Sequence, residues 1–292
     1  MSIKEKIILG TVQLGINYGI NNNEGKPNSE VAKDILEYAF RNGVKKLDTA
    51  TAYGDAQKLI GEYQKDSQNV FSINTKLKDT NKETLYSQIE ASLKELNTEK
   101  IECLFFHDFQ EYESQKKNAN ELINKYIEAK EGGLINSIGL SIYTNEELKK
   151  AIEDKIIDVI QLPFNLLDNS KEKMELLQKA KNKNKKIQVR SVFLQGLFFM
   201  NSEKLPSHLI SMKPSIEAIH SIAKKYNYSI SELALNYVLH QNLIDEVLIG
   251  VESISQLKTN LSQIFTSFEE EVAQEIEQII VSDSNLLSPA NW

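Results

Sequence analysis

One cysteine, Cys103, stands among 292 residues, which excludes an internal disulfide, and its place inside an apolar run marks it as buried filler rather than a nucleophile. No apolar run approaches the roughly twenty residues that span a bilayer, and Met1 to Lys6 hold no apolar core of the signal-peptide kind. The expectation is a cytoplasmic chain with no membrane partner. Five prolines and twelve glycines are too few for a fibrous or disordered chain. Positive charge is in deficit: 34 Lys and Arg against 41 Asp and Glu give a net charge of -7, which argues against a nucleic-acid partner. The one basic run, Lys179, Lys181, Lys183, Lys185 and Lys186, ends a helix just before a strand and reads as a solvated helix terminus. No Gly-x-Gly-x-x-Gly follows a strand and no Walker-type loop is present. His208, His220 and His240 lack zinc-like spacing, so they read as surface or helix-packing residues and no metal site is expected.

What the chain does have is a regular alternation. Short apolar runs begin at Ile7, Lys46, Val70, Ile101, Ile135, Ile157, Ile187 and Glu246, and each is followed by a segment with apolar residues at helical spacing. Helix starts are marked by the capping boxes Thr80 with Glu83, Thr144 with Glu147, and Ser229 with Glu232. A long polar loop is expected from Ile16 to Asn28, and a connection with little regular pattern from Leu194 to Pro214. Eight strands each followed by a helix predict an α/β fold, a closed (β/α)8 TIM barrel rather than an open sheet, because closure leaves no exposed edge. With no break in composition, residues 1-292 read as one domain, closed by a C-terminal helix and tail at about 268-292.

Polar residues stand where these strands stop. Asp48, Lys76 and His107 end strands two, three and four, and Tyr53 follows on the loop after strand two. Taken alone, Asp48 and Tyr53 fit a helix cap and a packing aromatic. A parallel barrel places all such ends on one face, which gathers the four into a site. The set suits proton donation to a carbonyl oxygen. A phenol titrates at about 10 in water, and a neighbouring ammonium lowers that value. Lys76 is placed to do this, Asp48 to hold Lys76 charged, and His107 to hydrogen-bond the carbonyl. Such a set needs an external hydride source.

The segments LDTATAYG with GDAQKLIG, NTKL and FFHDF resemble the aldo-keto reductase superfamily, and the likeness extends from LGTVQLG to the tail. That resemblance implies an NAD(P)H-dependent oxidoreductase that reduces an aldehyde or ketone, with a sugar or sugar derivative as a possible small-molecule substrate. It implies a catalytic set of Asp48, Tyr53, Lys76 and His107, with Tyr53 as general acid. Cofactor contacts are implied for Gly10, Thr11, Asp48, Ser141, Gln161, Arg190, Ser191, Gly196, Gly250, Ser253, Gln256 and Asn260. Many relatives carry an aromatic at the position of Arg190, a proline at Val192 and an Asn at Ile142. The implied cofactor is NADPH, with NADH admitted because Glu252 stands where NADPH-preferring members commonly carry Arg, unless Lys258 compensates its charge. Asn17, Tyr18, Phe109 and Phe198 are the candidate substrate contacts, and the tail with Trp292 is a candidate cover. The rival from another class is a barrel that binds the cofactor without turnover, as a sensor or partner subunit. A Schiff-base lyase using Lys76 is a third reading, and Asp48 disfavours it.

Overall fold

Runs of three to seven residues, too short for stable helices, satisfy their backbone groups by pairing side by side. The computed structural model describes residues 3–22, 25–78, 80–117 and 121–292. Its strands are β1 (Ile7–Gly10), β2 (Lys46–Asp48), β3 (Ser72–Lys76), β4 (Ile101–Phe106), β5 (Ile135–Ser141), β6 (Val159–Pro163), β7 (Lys186–Arg190) and β8 (Glu246–Gly250). They pair in parallel in chain order, and β1 pairs with β8 to close the barrel.

Twelve α-helical segments are described. The first six are α1 (Val12–Gly15), α2 (Ser29–Arg41), α3 (Ala56–Ser67), α4 (Leu85–Leu96), α5 (Phe109–Lys117) and α6 (Glu121–Glu131). The others are α7 (Asn145–Glu153), α8 (Lys171–Asn182), α9 (Lys213–Lys225), α10 (Ile230–Leu239), α11 (Ile254–Ser262) and α12 (Glu270–Glu277). No helix among the described residues is long and apolar enough to cross a membrane.

The main apolar core lies between the strands and the surrounding helices, and the barrel interior is largely polar. In β7, Ile187 and Val189 are fully buried in that outer layer. Their neighbours Lys186, Gln188 and Arg190 occupy the opposite face, where period-two alternation sends them inward. Cys103 and Phe105 of β4 form a small separate cluster with Val159. Cys103 is buried and its thiol is pushed up by burial, so packing is its role in the fold.

Several local expectations hold and some fail. The boxes at Thr144 with Glu147 and Ser229 with Glu232 form in full. Thr80 and Glu83 form none: α4 starts at Leu85, Thr80 instead bonds Gln88, and the Asn81 side chain accepts from the Glu83 and Thr84 backbones. β7 stops at Arg190 rather than Phe193, because Ser191 takes a left-handed φ of 63°. The 194 to 214 connection contains three short 3-10 turns, and α5 is an additional helix before α6. Of the loop from Ile16 to Asn28, residues 23 and 24 lie outside the described residues.

The lysine run is only partly a solvated helix end. Lys185 is buried and donates to the carbonyls of Asp154 and Ile157, while Lys186 pairs with the buried Glu246 at 2.8 Å.

Helix packing around the barrel is close enough to test. A Cβ on Gly61 of α3 would fall 1.8 Å from the Glu95 carbonyl oxygen of α4. Gly61→Ala therefore has to push two helices apart, and we expect a loss of about 1–3 kcal/mol in urea unfolding. An unshifted midpoint would show that the α3–α4 contact gives way freely.

Candidate active site

Parallel pairing brings the strand C-termini to one rim. Asp48 ends β2, and its backbone carbonyl accepts from both the N–H and the hydroxyl of Thr11, each at 3.0 Å. Lys76 ends β3 and donates to Asp48 Oδ1 at 2.5 Å, with both side chains almost completely buried. The other carboxylate oxygen, Oδ2, accepts from Gln161 Nε2 of β6 at 2.8 Å. The ion pair thus has hydrogen bonds on more than one side, which is what a charge pair removed from water requires.

Tyr53 is set on this rim by backbone rather than by side-chain contacts. The Thr51 N–H donates to the Lys76 carbonyl at 2.9 Å, tying the loop to β3. Gly54 takes a φ of 56°, and a Cβ there would lie 2.5 Å from the Gly15 carbonyl oxygen. A Cβ on Gly15 would in turn lie 1.7 Å from the Tyr53 carbonyl oxygen. Only two glycines allow this approach. The Tyr53 and His107 rings meet edge to face at 6.4 Å, and Lys76 Nζ lies 5.9 Å from the Tyr53 ring centre.

The electrostatics follow from this packing. Burial raises the Tyr53 phenol above its ordinary value, and Lys76 pulls it down without cancelling that effect. Lys76 therefore acts in the expected direction, but the net shift is upward and the phenol keeps its proton at neutral pH. Burial pulls the Lys76 ammonium down, yet Asp48 and Tyr53 oppose this and the net direction is up. Burial first and Lys76 second lower the His107 imidazole, which favours its neutral form.

A cavity of about 620 Å³ runs from this cluster across the rim to α11. Asp48, Tyr53, Gly10, Thr11, Gln161, Arg190, Ser191, Gly196, Gly250, Ser253, Gln256 and Asn260 all line it. Ser141 is buried in register with Gln161 and is not part of the lining, and Lys76 sits behind Asp48. Of the candidate substrate contacts only Tyr18 lines the cavity, its hydroxyl accepting from Gln195 at 3.1 Å. Phe109 and Phe198 are core residues, and Asn17 folds back to accept from the Lys26 N–H at 2.7 Å. Phe193 and Phe199 take the place expected of Phe198, because the left-handed residues Leu194 to Gly196 rotate the segment after β7. Trp292 donates to the Leu286 carbonyl at 3.0 Å and is likewise not in the lining.

Gln13 and Gln188 were not singled out by the sequence. Gln13 lies on the one-turn helix α1, where no period marks it. Gln188 is marked by the polar–apolar alternation of β7, which becomes informative once the interior of the barrel is known to be polar.

A parallel barrel whose rim carries this cluster at one end of a long groove falls in the class of barrel oxidoreductases. The profile of the Aldo/keto reductase family matches residues 6–281, and the chain belongs to that family. It is similar to L-galactose dehydrogenase of Arabidopsis thaliana, 26% identical over 276 residues that cover 86% of this chain and 85% of that protein. It is also similar to an NADH-specific methylglyoxal reductase of Escherichia coli (strain K12), 22% identical across 87% of this chain and 91% of that one. Among solved structures, an aldo-keto reductase from Bacillus halodurans in its holo form superposes with a TM-score of 0.75 at 21% identity, covering 94% of this chain and 92% of the other.

Enzymes of this family use nicotinamide cofactors, and the groove has features that fit one. The first turn of α11 lines it with Ser253, Ser255 and Gln256, and a helix N-terminus attracts phosphate. Gln13 lines the groove, and its buried oxygen Oε1 has no protein partner. Gly10 and Gly250 pair side by side on the floor and leave the strand ends low.

Because a Cβ at Gly15 would collide with the Tyr53 carbonyl, Gly15→Ala should displace the phenol by about an ångström or more. We expect kcat/KM to fall by about 10²-fold while cofactor affinity changes little. Unchanged turnover would mean that the loop is not what sets the hydroxyl.

Proposed function

We propose that the protein reduces an aldehyde or ketone carried by a small hydroxylated molecule, such as a sugar or sugar derivative, with Tyr53 as the proton donor. A nicotinamide cofactor, when bound, supplies the hydride. The observation that carries this reading is the convergence of Tyr53, His107 and the buried Lys76–Asp48 pair, with Tyr53 and Asp48 lining one end of the groove and His107 and Lys76 packed against them outside its lining.

Tyr53 holds its proton at neutral pH and can release it to a carbonyl oxygen. Lys76 stabilises the phenolate this leaves, and Asp48 keeps Lys76 charged and aimed. Neutral His107 can donate a hydrogen bond to the same oxygen and set its angle. Asp48 also makes Lys76 a poor Schiff-base amine, since a raised ammonium pKa withholds the lone pair. Arg190 lies over the Tyr143 ring at 4.2 Å and donates to the Ile142 carbonyl at 3.1 Å, and no carboxylate among the described residues pairs with it. Its charge supports a hydroxyl-rich or acidic substrate. Two relatives are named for L-galactose and for methylglyoxal, a sugar and a small carbonyl compound, which agrees with that class.

For the cofactor we propose NADH ahead of NADPH. Glu252 lines the groove beside Gln256, and its backbone N–H donates to Gln256 Oε1 at 2.8 Å. Lys258, the cation that could offset it, instead lies over the Tyr38 ring at 5.3 Å and outside the groove lining. A carboxylate here disfavours a 2′-phosphate.

Tyr53→Phe is expected to lower turnover by at least about 10²-fold with cofactor affinity nearly intact, checked by stopped-flow reduction and fluorescence titration; full turnover would remove Tyr53 as the acid. Glu252→Ser should tighten NADPH about five- to tenfold relative to NADH. An unchanged ratio of the two dissociation constants would place the 2′-phosphate away from Glu252.

A further inference from the structure

Beneath the Lys76–Asp48 pair a column of polar side chains descends through the barrel interior. Gln188 Oε1 accepts from Gln161 Nε2 at 3.2 Å and from Asn74 Nδ2 at 3.3 Å. Gln188 Nε2 donates to Glu246 Oε2 at 2.7 Å. Glu246 is almost wholly buried, and its other oxygen, Oε1, is held by Lys186 at 2.8 Å and by Lys46. Hydrogen bonds thus link the two opposite ends of the barrel.

The donor inventory gives this column a direction. A carboxylate paired with two lysines can only accept, so Gln188 must turn its NH2 toward Glu246. Its oxygen then faces Gln161 and Asn74, which must turn their own NH2 groups toward it. Asp48 also can only accept, and it draws the same NH2 of Gln161 from the other side. Both N–H bonds of Gln161 are therefore committed within the protein. Its carbonyl oxygen is the one hydrogen-bonding atom left for the groove that Gln161 lines.

We infer that Gln188 and Glu246 are positioning residues that lock the Gln161 amide with its oxygen toward the bound ring, so that the site selects a ligand carrying an amide N–H there. The inference rests on the nicotinamide reading above. Neither residue touches the ligand; each acts through Gln161. Glu246→Gln reverses the logic. Lys46 and Lys186 hold the new amide by its oxygen, its NH2 faces Gln188, and Gln188 turns its own NH2 toward Gln161. Gln161 is then drawn both ways, since Asp48 still demands its NH2. Gln188→Met removes the relay and leaves only Asp48 to orient Gln161.

The test measures dissociation constants by calorimetry for NAD and for its 3-acetylpyridine analogue, which keeps the ring carbonyl and lacks the N–H donors. The wild-type protein should bind NAD about tenfold more tightly than the analogue, the worth of one well-placed hydrogen bond. Glu246→Gln and Gln188→Met should shrink that ratio to about threefold or less, with thermal unfolding checked in parallel. A folded variant that keeps the full ratio overturns the inference, as does one that weakens both ligands equally, which is the mark of a merely structural role. A wild-type protein that binds NAD without preferring it also overturns it, whatever the variants do. Failure of the wild-type protein to bind either dinucleotide would instead refute the cofactor reading.

Discussion

Lys76 places an ammonium inside the rim of the barrel, and the site stands only because Asp48 lies 2.5 Å away. Removing one member of a buried pair of this kind costs about 3–5 kcal/mol, since the other is left charged and unmatched. The pair is also more than a structural tie. It puts a positive charge near the Tyr53 ring and draws Gln161 into a fixed orientation. In the proposed mechanism, stability and chemistry thus depend on one contact.

The groove and the ion pair are positioned by different means. Tyr53 is located by backbone approach at Gly15 and Gly54, whereas Asp48 and Lys76 are strand ends fixed by the sheet. Left-handed residues after β7 do the same for the far wall: Ser191, Leu194 and Gln195 hold positive φ, which is uncommon for residues with side chains. Strain of this sort is kept where a surface must have a particular shape, and here it brings Phe193, Phe199 and Gln195 to the cavity.

Much of this was legible in the chain. Eight apolar runs gave the barrel, and β4, β5 and β8 begin and end where the residues alone place them. Asp48, Tyr53, Lys76 and His107 could be gathered because strand ends in a parallel barrel share a rim. The failures have physical causes. Phe109 and Phe198 are aromatics beside strand ends, and sequence does not say whether such a ring turns inward to the core or outward to the groove. The positive φ at Ser191 carries no glycine to announce it, so β7 read three residues too long. Thr80 and Glu83 have the spacing of a capping box, but Asn81 supplies a competing acceptor to the same backbone N–H groups. Lys185 looked solvated because its neighbours are, yet two carbonyls at the closed end of the barrel claim it. The Lys76 effect on Tyr53 was given the correct sign, but the opposing effect of burial depends on packing that no local pattern contains.

The polar column also bears on how such a chain can be divided. Asp48, Asn74 and Lys76 come from the first half of the barrel, while Gln161, Gln188 and Glu246 come from the second. The contacts joining them span 113 residues between Asp48 and Gln161, 114 between Asn74 and Gln188, and 200 between Lys46 and Glu246. Separating the halves would leave these polar side chains without the partners they have in the closed barrel. The polar interior thus joins the two halves residue by residue, each donor of one matched to an acceptor of the other.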